Sequence, residues 1–228
     1  MTLDNKNFFK SRSLYKAPLS KRKALKIVES SYLAAATALI WIALYYLPIG
    51  GAIFRLALPL PLVLLQIRRG VKTGIEGVTI CVMLLTALMG PLRGPLVLFP
   101  YGLLSLWLGY SWQKGWNWWL SWSVGVSIGT MGFLIRVLVL SILVGENLWV
   151  ILTRAGAGLL EKGIDIFNLS FTPDMRQVQV VALFLIITQE IVYVLCLHAL
   201  AYWIFPRLKS SIPEPPALLE NLISLESN

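Results

Sequence analysis

The sequence predicts an all-α, polytopic membrane protein with six transmembrane helices, both termini in the cytoplasm and one amphipathic helix on the outer side. Three observations support this fold class. Of the 228 residues, 57% are hydrophobic and only 14% are charged, whereas charged residues make up about 25% of ordinary soluble domains. The chain contains several apolar segments of the length that crosses a bilayer core as a helix. Lys and Arg also cluster in alternate connections between these segments, which is the charge bias of membrane proteins with short loops.

The first apolar segment, 28–47, follows a basic arm that sets the orientation of the chain. Eight of the twenty Lys and Arg residues precede Ile27. Residues 1–27 are therefore predicted to be a cytoplasmic arm that binds anionic lipid headgroups. The net charge of +9 does not indicate nucleic acid as a partner, because no nucleic-acid-binding motif accompanies it.

Five further spans are predicted, and together with the first they form one membrane domain over 28–205. Gly, Pro and charged residues bound each of them. The second contains Pro59 and Pro61, so a kinked or partly unwound helix is expected there. In chain order the five predicted ranges are 52–67, 74–90, 96–112, 118–144 and 178–205.

The segment 146–168 carries too many charges to be a span. Apolar residues recur in it at helical spacing from Leu148 to Leu159, opposite a face with Arg154 and Glu161. This pattern predicts an amphipathic helix that lies on the membrane surface or folds over the mouth of the bundle. The remaining residues, 206–228, form a proline-rich tail.

The orientation follows from the Lys and Arg residues of the predicted connections. With the N-terminus inside, the inner connections add to the arm Arg68, Arg69, Lys72, Lys114, Arg207 and Lys209. The outer connections hold only Arg93, Arg154, Lys162 and Arg176. This asymmetry favours six spans with both termini in the cytoplasm.

Three ionisable residues within the predicted spans are candidate functional groups, because a charge inside a membrane is costly. Arg55 lies near the outer start of the second span. Arg136 lies about 12 Å from the outer end of the fifth span, and Glu190 lies about 18 Å along the sixth. The last two could therefore meet if their helices are neighbours. They would then form either a structural ion pair or, with Gln189 beside Glu190, part of a polar solute site in a cavity that opens outward.

No residue pattern indicates an enzyme. The sequence has no nucleophile with a base, no paired-carboxylate site and no phosphate-binding loop. Cys81 and Cys196 lie far apart within apolar segments, so we expect no disulfide, no metal and no cofactor. A packing role is favoured for His198 over a proton relay.

Two patterns of small residues predict close approach of a second helix. They are Ala34-xxx-Ala38 in the first span and Gly125-xxx-Gly129 in the fifth. Such a face packs against a helix of the same chain or against a partner subunit.

Residues 55–74 read RLALPLPLVLLQIRRGVKTG, and a short third span that ends in Gly90 and Pro91 follows them. This stretch resembles the YybS-like family of predicted membrane proteins from Bacilli, cyanobacteria and plastids. That family is in turn similar to the substrate-binding S components of energy-coupling factor transporters. The resemblance implies the bacterial inner membrane, or the plasma or thylakoid membrane of a cyanobacterium, as the location.

The same resemblance implies a function and partners. A transmembrane T component would contact the Ala34–Ala38 face, and separate ATPase subunits would supply ATP hydrolysis. The solute would bind near the outer ends of the later helices, where Arg136, Glu190 and the segment 146–168 fall. The alternative hypothesis is a scaffold or assembly factor of a membrane complex, which would use the small-residue faces. A third hypothesis is a proton-coupled carrier that uses Glu190.

Overall fold

The computed structural model describes residues 20–48, 50–166, 174–210 and 212–216. These ranges contain eight α-helices, two 3-10 turns and no strand. The helices are α1 (Lys21–Tyr46), α2 (Gly51–Ala57), α3 (Leu60–Arg69), α4 (Val71–Met89), α5 (Tyr101–Gln113), α6 (Trp118–Val144), α7 (Leu148–Ile166) and α8 (Met175–Ile204). The 3-10 turns are Gly94–Leu98 and Pro206–Leu208. The all-α class predicted from the sequence is confirmed. The predicted arm, 1–27, and the predicted tail, 206–228, lie mostly outside the described residues.

Among the described residues, five helical segments are long and apolar enough to cross a membrane: α1, α2 with α3, α4, α6, and α8 with the turn that follows it. Much of their apolar surface is uncovered. Only 22% of the most apolar 18-residue window of α6 is buried within the chain, and the share in α8 is the same. Helices that are this apolar and this exposed suit a lipid environment rather than water.

The predicted second span is divided at its prolines, as expected. The helix α2 ends at Ala57 and α3 begins at Leu60, with Pro59 at its N-cap and Pro61 in its first turn. Proline is tolerated at the start of a helix because the missing N–H would have no partner there in any case. The prolines therefore separate a short outer helix from a longer inner one.

The predicted fourth span, 96–112, is not one continuous helix. Gly94–Leu98 forms a 3-10 turn, and α5 starts only at Tyr101, directly after Pro100. With 13 residues, α5 is about 20 Å long, which is shorter than the core of a bilayer. The turn packs closely on α4, where a Cβ on Gly94 would overlap the backbone of Thr86. The proline ring prevents the helix from continuing through this point.

Side chains at one end of the bundle join the start of α1, the end of α3 and the segment after α8. Arg68 Nη1 lies 2.9 Å from Glu29 Oε1, and Arg69 Nε lies 2.6 Å from Glu29 Oε2. Arg68 also donates to Ser210 Oγ at 3.3 Å and to the carbonyl oxygen of Leu208. We call this the Arg68 end of the bundle, and the opposite end, where α6 ends and α8 begins, the α7 end.

The small-residue faces are covered within the chain. Ala34 and Ala38 are fully buried where α1 packs on α3 and α4. A Cβ on Gly125 would touch α8 at 3.0 Å, and one on Gly129 would overlap the Glu190 carboxylate. The assignment of these four residues to a partner surface is therefore corrected to internal packing, because a face already covered by the same chain is not free for another protein.

His198 occupies a packed position. Its Nδ1 lies 2.8 Å from the carbonyl oxygen of Val194, and its Nε2 lies 3.1 Å from Ser121 Oγ. Since a carbonyl oxygen only accepts, Nδ1 carries the proton and Nε2 accepts from Ser121 in the neutral ring. Trp112 and Trp118 stand beside the ring, with centroids 5.0 and 5.2 Å away.

Candidate functional site

A polar cluster around the buried Glu190 lies where α2 meets α8. Arg55 Nη2 of α2 lies 3.6 Å from Glu190 Oε1 of α8, and Glu190 is only 1% exposed. With its amide oxygen facing the guanidinium, Gln189 accepts from both terminal nitrogens of Arg55, at 2.8 and 2.9 Å. Tyr193 is three residues after Glu190 and therefore on the same side of α8. Its hydroxyl donates to the carbonyl oxygen of Arg55 at 3.0 Å, and its ring centroid lies 5.7 Å from the guanidinium carbon.

The carboxylate of Glu190 occupies space left by a glycine on α6. Glu190 Oε2 lies against Gly129, and within the described part of the chain this oxygen has no hydrogen-bond partner. Only a residue without a side chain lets α6 approach α8 closely enough to enclose the acid. The cluster therefore depends on α6 for its shape and on α2 for its counter-charge.

Arg136 lies on α6 beyond this cluster. Its Nη2 donates to the hydroxyl of Tyr45 at 2.7 Å, and its guanidinium carbon lies 5.2 Å from the ring centroid of Trp41. The contact of Arg136 with Glu190 that the sequence suggested is not formed, and Arg55 takes that place. Gly129 is the α6 residue that faces Glu190, and Arg136 lies seven residues further, about 10 Å along the helix axis.

Both arginines line one cavity of about 460 Å³. Tyr101, the first residue of α5, lines it as well, and the other walls are mainly apolar. Three residues of α7 form part of the cavity wall: Leu148, Ile151 and Leu152. Arg55 also borders a groove of about 780 Å³ between α2 and α8, together with Gln189.

Interruptions in two helical segments place side chains at this cavity. The helix α2 ends two residues after Arg55, and Pro100, at the other interruption, lines the cavity next to Tyr101. A Cβ on Gly132 of α6 would overlap Pro100, so the non-helical backbone is tightly covered on that side. Non-helical backbone at membrane depth is tolerated where protein buries it or where it lines a cavity.

The four candidate solute-binding residues are thus brought together in part. Arg55, Gln189 and Glu190 form one cluster, and Arg136 shares the cavity with Arg55 but does not touch the acid. The sequence interpretation missed Tyr101 as a wall of the site. No periodic pattern marks Tyr101, because its position depends on the break before α5.

The predicted amphipathic helix over 146–168 corresponds to α7. Its first turn is capped by the Asn147 side chain, which accepts from the backbone N–H of Trp149 at 3.1 Å. The backbone N–H of Leu148 donates to Ser141 Oγ of α6 at 3.0 Å. These bonds fix the start of α7 against the end of α6, so its apolar side chains cover the cavity.

The groups at the cavity can act on a ligand through charge and hydrogen bonds. The cluster offers the guanidinium of Arg55 and one carboxylate, Arg136 adds a second guanidinium, and phenol groups lie beside them. In the described part of the chain, no three His, Cys, Asp or Glu residues are grouped so that they could hold a metal ion.

Comparison with known proteins gives a family and no activity. No curated protein matches the chain, and no solved structure matches it. A family model described as "Predicted membrane protein (DUF2232)" matches residues 34–221, a range that includes every residue named at the site. The protein is therefore associated with a membrane through several apolar helices, and the chain belongs to this DUF2232 family of predicted membrane proteins.

Proposed function

We propose that the protein is a membrane-embedded subunit that binds a small solute from the outer side of the membrane. The observation that carries this proposal is the Arg55–Gln189–Glu190 cluster beside a cavity of about 460 Å³ that α7 covers. Ionisable groups within a membrane domain commonly mark a solute or ion pathway. The volume also falls in the range of small-molecule pockets, roughly 300–1,000 Å³.

The proposed topology has six crossings, of which 94–113 is the fourth. Arg68 contacts both Glu29, near the start of α1, and Leu208, after the end of α8. A chain whose two ends meet at one end of a bundle crosses an even number of times, which favours six crossings over five. Because basic residues are concentrated at the Arg68 end, the positive-inside rule assigns this end to the cytoplasm. The α7 end then faces outward.

The proposed energy source is a set of partner subunits, as in energy-coupling factor transporters. The protein itself would catalyse nothing, and separate ATPases would act on it through a transmembrane T component. The support for this part is the resemblance of residues 55–74 to the YybS-like family. Since Ala34 and Ala38 are buried, a T component would bind elsewhere, on the exposed apolar surface of the helices.

A pull-down of the tagged full-length protein in mild detergent tests this proposal. Mass spectrometry of retained proteins and small molecules should find a T component, two ATPases and a solute. The Glu190→Gln variant should fold and retain the proteins, but the amount of retained solute should change, because Arg55 loses the ion pair that positions it. Recovery of a different membrane complex without an ATPase would contradict the transporter subunit and favour the scaffold alternative.

A further inference from the structure

We infer that the cavity takes a monoanionic organic acid with an apolar body. Its carboxylate would bind at Arg136 and Arg55, and its apolar part would lie against the α7 side chains Leu148, Ile151 and Leu152. This inference rests on the proposed function, since it names the solute class of the same site.

The charges at the cavity favour an anion. Arg55 and Arg136 both border it, and among the described residues Glu190 is the only carboxylate that pairs with either of them. The two guanidinium groups and the one carboxylate together carry a net charge of +1. A single carboxylate cancels that charge, whereas a doubly charged phosphate would leave a net negative charge in a poorly solvated site.

Arg136 is the group that most needs a counter-ion. Within the described residues no carboxylate lies within 4.0 Å of it, and its contacts are the neutral hydroxyl of Tyr45 and the ring of Trp41. A hydroxyl and an aromatic face compensate a half-buried guanidinium within a membrane segment only in part. Its planar fork of donors matches the two oxygens of a carboxylate.

The remaining walls favour an apolar body. Besides the α7 residues, they include Leu44, Phe133 and Leu140. A strongly polar solute such as a sugar would lose hydration against these side chains without gaining enough hydrogen bonds. A cationic solute would be repelled by the two arginines. An amphipathic acid satisfies both parts of the cavity.

Matched acid and amide probes test this inference. Purified full-length protein in lipid nanodiscs is dialysed to equilibrium against 4-phenylbutyrate or its neutral analogue 4-phenylbutyramide. The acid should bind about tenfold more tightly or better, because a charge-assisted hydrogen bond contributes that much. Arg136→Gln should remove this preference for the acid and leave the affinity for the amide unchanged. Arg93→Gln, which removes an exposed arginine outside the cavity, should have no effect.

A second pair, decanoate and decanamide, distinguishes a lipid-derived acid from a short, water-soluble one. A preference confined to decanoate would indicate a site for the long alkyl body of a lipid-derived acid, and one confined to 4-phenylbutyrate would indicate a site for a shorter, water-soluble acid; either supports a carboxylate ligand. Equal binding of acid and amide in both pairs would overturn the carboxylate inference and leave solute binding itself intact. If neither pair binds at all, the inference is overturned, and the pull-down alone then decides the proposed function.

The variants also show where the acid binds. An acid preference that survives in folded Arg136→Gln would overturn the assignment to this cavity. If Arg136→Gln does not fold, Tyr45→Phe replaces it, since this change removes the hydroxyl that orients Arg136 and alters no charge. Tyr45→Phe should weaken binding of the acid several-fold and leave binding of the amide unchanged. An unchanged affinity for the acid would contradict the inference.

Discussion

Two arginines at one cavity are stabilised in different ways. Arg55 has a carboxylate, an amide oxygen and an aromatic ring around it, while Arg136 has a hydroxyl and an indole. Glu190 therefore pairs with Arg55, whereas Arg136 has no carboxylate partner among the described residues.

Double-mutant cycles test which arginine pairs with Glu190. Arg55→Gln should cost about 3–5 kcal/mol of unfolding free energy, because it leaves a buried carboxylate without a counter-charge. The double variant Arg55→Gln/Glu190→Gln should lose less unfolding free energy than the two single variants together. The difference, which is the coupling energy, should be about 1 kcal/mol or more. The measurement is denaturant unfolding in mixed micelles.

The matched cycle of Arg136→Gln with Glu190→Gln should be additive to within about 0.5 kcal/mol. Arg136 touches Tyr45 rather than the acid, so no direct interaction is lost twice. A coupling in this second cycle as large as in the first would refute the pairing seen in the structure.

The helix α6 determines how closely the elements around the site approach each other. Its glycines face different neighbours, with Gly125 and Gly129 against α8 and Gly132 against Pro100. Small residues at regular spacing allow helix backbones to come close in a membrane, where no hydrophobic force from water drives them together. The small-xxx-small pattern of α6 thus builds the wall behind Glu190.

Substituting Gly129→Ala tests this role of α6. The added Cβ would overlap Glu190 Oε2, so the two helices must separate or the acid must move. We expect a loss of about 1–3 kcal/mol, as is usual for overpacking, measured as a lower free energy of unfolding.

The control is Gly156→Ala in α7, where an added Cβ meets no described atom within 4 Å. It should be neutral or stabilising by up to about 1 kcal/mol, since alanine has the higher helix propensity. Equal losses in both variants would mean that the cost at Gly129 does not come from contact with the acid.

At the scale of the whole molecule, the site lies between the Arg68 end and the α7 end of the bundle, which are held together by different contacts. The Arg68 end is held by ion pairs between α1 and α3 and by hydrogen bonds from Arg68 to the segment after α8. At the α7 end, one helix whose start is fixed to α6 lines the cavity.

Cysteine labelling in spheroplasts tests the proposed six crossings. Single cysteines replace Arg93, Lys114 or Lys209 in a variant in which Cys81 and Cys196 are alanine. An impermeant maleimide should label position 93 from outside, and positions 114 and 209 only after permeabilisation. Labelling of position 114 from outside would mean that 94–113 does not cross, because Lys114 directly follows α5.

Part of the site could be predicted from the sequence. Arg55, Arg136, Glu190 and Gln189 were identifiable because polar groups in apolar segments are rare and costly. Which of these residues pair with each other could not be predicted, since the depth of a residue along its own helix does not say which helices are neighbours. Tyr101 was missed for a related reason, as its place at the cavity follows from the break at Pro100.

The sequence by itself determined the all-α membrane class, the apolar segments, the division of the second span at its prolines and the amphipathic α7. These features follow from local hydropathy and from the missing N–H of proline, which act over a few residues. The tertiary structure alone decided that Arg55 pairs with Glu190 and that the small-residue faces are used internally. Such contacts join residues far apart in the chain, and they depend on side-chain packing between helices, for which one sequence carries no periodic signal.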